Sequence, residues 1–113
     1  MNGNECVKAQ KYTEAVECYN KSLKIKRDEP FTYANRAMAF LKMKEFKKAI
    51  DDSNMALRLK PDYLKAHHRW GIAYVALNEL AKAIKDFESI LQIEPGNKEV
   101  LKDINAARTL LSQ

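Results

Sequence analysis

Apolar residues recur along this chain at helical spacing. The pattern also repeats. Residues 39–61 match residues 73–95 at an offset of 34: Ala39 meets Ala73, Glu45 meets Glu79, and Lys48-Ala49-Ile50 meets Lys82-Ala83-Ile84. Asp52 then meets Asp86, Leu57 meets Leu91, and Pro61 meets Pro95. The spacing predicts three helical hairpins and a closing helix. The first hairpin is short, with an opening helix over 3–9 and a return helix over 12–25. The second runs over 30–43 and 45–59, the third over 63–77 and 79–93, and the closing helix over 98–112.

Chemistry supports these breaks. Pro61 and Pro95 follow return helices, where proline cannot continue the hydrogen-bond ladder and restricts the residue before it. Pro30 stands in a first turn, where its missing N–H costs nothing, and Gly96-Asn97 supplies a turn before the last helix. Small residues mark close helix approach: Ala15, Ala49 and Ala83, facing Ala37 or Gly71. Bulky ones fill the gaps, Tyr12, Phe46 and Leu80 at one equivalent site and Tyr19, Ser53 and Phe87 at another. Ser53 departs from its set, so looser packing is expected there. On the closing helix, Val100, Leu101, Ile104, Ala107 and Leu111 are expected to cover the last hairpin, with Lys98, Glu99, Lys102 and Asp103 facing water.

Composition narrows the class. Hydrophobic residues make up 46% of the 113, with three prolines and three glycines, as in a compact helical domain. No apolar run nears the ~20 residues that span a bilayer, and no signal-peptide core follows Met1, so a cytoplasmic setting and no membrane contact are expected. Cys6 and Cys18 read as reduced thiols. The net charge of +5 favours acidic partners, but the lysines are spread out, which argues against nucleic acid. Adjacent His67 and His68 diverge by about 100° on a helix and cannot share a metal ion. No oriented base stands near either cysteine in the sequence and no glycine-rich phosphate loop is present, so neither an enzyme nor a cofactor is expected.

A 34-residue helical repeat resembles the tetratricopeptide (TPR) family. That resemblance implies an all-α fold: a right-handed superhelical solenoid of three TPR hairpins plus a C-terminal capping helix. The whole chain, 1–113, is then one domain with repeats at about 1–29, 30–63 and 64–97 and the cap over 98–112. In such a solenoid the first helix of each hairpin lines a concave groove, with equivalent positions about 10 Å apart. Asn35 and Arg69 are one period apart, Lys65 and Arg69 are i and i+4, and Asn4 has the matching direction in the first hairpin. Two cations and two amides converging in one groove suit an anion with more than one carboxylate.

The stretches Gly3-Asn4-Glu5, Tyr33-Ala34-Asn35-Arg36-Ala37 and Lys65-Ala66-His67-His68-Arg69-Trp70-Gly71 resemble the carboxylate-clamp motifs of co-chaperone TPR domains. The resemblance implies a partner: the C-terminal Glu-Glu-Val-Asp (EEVD) tails of the seventy- and ninety-kilodalton heat-shock chaperones. Asn4, Asn35, Lys65 and Arg69 match four of that family's five clamp residues. The fifth, a lysine one turn before the first asparagine, would precede Met1, and the expectation is that the chain is an excerpt of a longer protein. Val7, Met38, Leu41, Ile72 and Val75 offer an apolar strip for the tail further upstream, and Lys42 a further cation. The wording around residues 35–39 and 94–98 is similar to RNA-polymerase-II-associated and sperm-associated-antigen TPR scaffolds. The expected function is thus a monomeric co-chaperone adaptor. The alternative is a structural scaffold that binds another protein through a different surface, without recognising a terminal carboxylate.

Overall fold

The computed structural model describes the backbone of residues 3–113 and the side chains of residues 10–113. Six helices follow one another: α1 (Gly3–Ile25), α2 (Pro30–Lys42), α3 (Phe46–Leu59), α4 (Leu64–Ala76), α5 (Leu80–Ile93) and α6 (Lys98–Leu111). Each packs on its neighbours in sequence, while α2 also meets α4 and α4 meets α6. That is the contact pattern of a solenoid, in which every second helix lines the same face.

The first hairpin differs from expectation. Instead of separate helices over 3–9 and 12–25, α1 is one continuous helix of 23 residues. In the other two hairpins the turn passes through a left-handed residue, Lys44 at φ 62° and Asn78 at φ 61°. Their equivalent one period earlier is Gln10, which lies inside α1. A left-handed residue costs roughly 1–2 kcal/mol. The hydrogen-bond ladder of α1 runs on through Gln10 without that cost. The helix bounds elsewhere fall within one residue of the expected ones.

Small residues set the spacing of the middle helices. Ala34, Ala37, Ala49, Ala56, Ala66 and Ala73 are all completely buried. A Cβ placed on Gly71 would lie 2.5 Å from Cε1 of Phe87, inside any real contact distance. Phe87 is 0% exposed, so α4 and α5 approach closely only because residue 71 has no side chain. Ser53, Phe87's counterpart in the preceding hairpin, is fully buried too, and its hydroxyl has no hydrogen-bond partner.

The largest cluster lies at the C-terminal end, where Leu80, Ala83, Phe87 and Ile90 meet Val100, Ile104 and Ala107 of α6. Asn97 caps α6, its Oδ1 accepting from the Val100 N–H at 3.1 Å. The cap departs from expectation at three positions. Leu101 and Leu111 are 38% and 54% exposed, because the buried stripe of α6 is only as wide as the Val100–Ile104–Ala107 line. Asp103 does not face open water: its Oδ2 lies 2.6 Å from Nε2 of His68. Among the described residues no helix is long and apolar enough to cross a membrane.

Candidate functional site

The groove-lining helices among the described side chains are α2 and α4, with α6 closing one end. On α4, Lys65 and Arg69 stand one turn apart. Together with Met38 of α2, His68 and Ile72 of α4 and Glu99 of α6, they line one cleft. A second cleft adjoins it through Lys65, His68 and Glu99 and continues to Phe31, Leu64 and Val100.

Arg69 is the most constrained of these groups. It is half-buried, and its Nη1 donates to the Ala34 carbonyl of α2 at 2.6 Å. Among the described residues no carboxylate pairs with it. Burial lowers the guanidinium below its usual range, an effect partly opposed by the Tyr63 and Tyr19 rings. Among the described residues no other hydrogen bond engages the fork. An uncompensated, partly desolvated cation is costly unless an anion arrives to meet it.

Contrast Arg36, one residue past Asn35. Its Nε and Nη2 each donate to Asp52 at 2.7 Å, and its Nη1 to Oδ1 of Asn20 at 2.8 Å. The bond to Asp52 raises Arg36, while burial pushes the Asp52 carboxyl up and Arg36 opposes that shift. This arginine stitches α1, α2 and α3 together, each of its three nitrogens already donating a hydrogen bond. These two arginines thus have opposite electrostatic status.

The other expected residues sort by position. Asn35 is exposed on α2, next to the carbonyl that Arg69 grips. Lys65 is exposed and has no ion-pair partner among the described residues. Met38 and Ile72 are half-buried and line the cleft, Ile72 also packing on the C-terminal core. Leu41 packs against Ala37, Ala49 and Ala73, and Lys42 is exposed in the last turn of α2. The side chains of Asn4 and Val7 lie outside the described residues. His67 and His68 diverge: the first approaches the Pro61 carbonyl at 3.3 Å, the second turns to Asp103 and stacks edge-on against Phe87. Among the described residues no three His, Cys, Asp or Glu side chains gather as metal ligands would.

Glu99 and the His68–Asp103 bridge were not foreseen. The signal was present: Glu99 and Asp103 lie 34 residues after Lys65 and Arg69, the same period that relates the hairpins.

Family comparisons agree with this architecture. A TPR repeat model matches residues 3–44, and tetratricopeptide repeat models match residues 32–63 and 64–97. Comparison with curated proteins gives no significant match. Among solved structures, the first TPR of Spaghetti (RPAP3), bound to the HSP90 peptide SRMEEVD, is 37% identical with a TM-score of 0.89, covering 98% of this chain and 88% of that one. The second TPR domain of human RPAP3, in complex with the HSP70 peptide SGPTIEEVD, is 37% identical with a TM-score of 0.83, covering 94% and 88%. The Arabidopsis OM64 TPR domain is 31% identical with a TM-score of 0.85, covering 95% and 88%. With its repeats matched from residue 3 to 97 and relatives this similar along their length, the chain belongs to the tetratricopeptide repeat family.

Proposed function

We propose that this domain is a peptide-receiving adaptor that holds the free C-terminal acidic tail of a heat-shock chaperone in its groove. The observation that carries the reading is Arg69: a half-buried guanidinium fixed to the α2 backbone, with no carboxylate partner among the described residues. Lys65 one turn away adds a point charge, and Asn35 adds a neutral donor. Asn4 completes the set by its place in the sequence. Met38 and Ile72 supply apolar surface beside the charges, with Val7, Leu41 and Lys42 as outlying contacts. Similarity to TPR domains solved with HSP90 and HSP70 peptides supports the same ligand class. In this reading the protein is a monomeric, non-enzymatic co-chaperone of the cytoplasm, built from repeats at 1–29, 30–63 and 64–97 and a cap.

Calorimetric titration with a peptide ending in Glu-Glu-Val-Asp, beside the same peptide amidated at its C-terminus, tests this. Binding of the free acid that is lost on amidation is the expected result. Equal binding of both peptides would remove the terminal-carboxylate reading and leave a scaffold that binds proteins through another surface.

A further inference from the structure

Helix α6 repeats the register of α4 with its charge reversed. Glu99 follows Lys65, and Asp103 follows Arg69, by the same 34 residues. The two acids have different fates. Asp103 is engaged by His68 at 2.6 Å. Glu99 is exposed, has no ion-pair partner among the described residues, and lines both clefts that Lys65 lines. The cationic floor of the groove therefore ends, at α6, in an unpaired carboxylate.

Such a boundary repels the acidic end of a ligand and attracts a cation. Resting on the tail-binding reading above, we propose that Glu99 is a specificity-determining residue. It receives a cationic side chain upstream of the terminal acidic residues, so that the groove prefers a tail such as SRMEEVD to one such as SGPTIEEVD. The spacing fits. In SRMEEVD an arginine stands five residues before the terminal aspartate, where SGPTIEEVD has a threonine. Five residues of extended chain span about 17 Å. The two interhelix steps from Asn35 on α2 to α6 come to about 20 Å, and an arginine side chain closes the difference. His68 cannot cancel the effect, since its Nε2 is committed to Asp103. Lys65, which shares both clefts with Glu99, is a competing cation, and the ligand's own carboxylates occupy it; Lys102 stands about one turn further along α6.

An exposed ion pair tunes affinity without creating it, so the expected effect is a factor of roughly two to five. The test is calorimetric titration of the full chain and of Glu99→Gln with SRMEEVD and with SAMEEVD. The native chain should bind SRMEEVD about two- to fivefold more tightly than SAMEEVD, and added salt should shrink that ratio. In Glu99→Gln the ratio should fall to near one. A ratio that persists in the variant overturns the proposal, as does an equal rise in affinity for both peptides, which would make Glu99 a repulsive group alone. Amidated SRMEEVD serves as the separate arm: unchanged binding there defeats the tail-binding reading itself, and this inference with it.

Discussion

Arg69 does two jobs with one side chain: its Nη1 ties α4 to the Ala34 carbonyl, and the residue lines the cleft. Removing it should therefore weaken tail binding by roughly 1–3 kcal/mol, the range for a hydrogen bond to a charged group, and also cost about 1 kcal/mol of stability. Asn35 is exposed and carries no such tie. Asn35→Ala should lower tail affinity by a similar amount in calorimetry while leaving the denaturation midpoint unchanged. Normal affinity in both variants would exclude them from the site. Gly71 is the structural counterpart. Its Ala variant would put a methyl 2.5 Å from a Phe87 ring that is 0% exposed. We expect Gly71→Ala to destabilise the fold by about 1–3 kcal/mol through overpacking, read as a lower urea midpoint.

Hairpins α2/α3 and α4/α5 are alike in backbone but differ at one half-buried polar pair, besides Ser53 and Phe87. Where the first has Arg36 against Asp52, the second has Trp70 and Asp86, one period on. Tryptophan supplies no guanidinium. Oδ2 of Asp86 and Nε1 of Trp70 are both buried without a hydrogen-bond partner. Burial pushes the Asp86 carboxyl from 3.8 up to about 6, opposed only by Lys85 on the same helix. Neighbouring charges are engaged elsewhere: Lys82 lies over Tyr74, Arg108 pairs with Glu88, and Asp103 with His68. The folded state thus binds this proton more tightly than the unfolded chain does. Its contribution is most favourable near pH 4 and is lost as the pH rises through about 6. Allowing for its partial exposure, the loss is about 1 kcal/mol. Asp86→Asn should flatten that part of the stability–pH curve. Trp70→Arg should flatten it as well and raise stability at pH 7, by restoring the pair seen one repeat earlier. An unchanged slope in both variants would show that Asp86 is already solvated.

As a whole, the molecule is a one-dimensional stack whose stability passes from neighbour to neighbour. The C-terminal cluster joins α5 and α6 and holds the largest fully buried side chains, Phe87, Ile90 and Ile104 among them. Ile104→Ala should cost about 2–4 kcal/mol, since a 1%-exposed side chain leaves a cavity. Amide exchange should then rise first in α6 and α5, with α2 and α3 protected longest. Uniform loss of protection would mean that the chain unfolds as a single unit. The groove depends on this stack, because Lys65, Arg69 and Glu99 meet only while α6 stays docked on α4 and α5.

Much of this was legible in the chain alone. Periodicity, Pro30, Pro61 and Pro95 placed most helix ends to within a residue, because those limits are set by local backbone chemistry. The i, i+4 spacing put Lys65 and Arg69 along one cleft, because helical geometry relates residues at a fixed spacing, whereas Asn35 is exposed on α2 and lines neither cleft that Lys65 lines. The fusion of the first hairpin into one helix was not legible, since it rests on a balance between a strained turn and the packing that would support it. Nor was the pairing state of each charge. That Arg36 is bound by Asp52, that Asp103 belongs to His68, and that among the described residues no opposite charge pairs with Arg69 or Glu99 depends on which side chains from different helices come within 3 Å of one another. Distance between helices is a property of packing, and only the tertiary structure decides it.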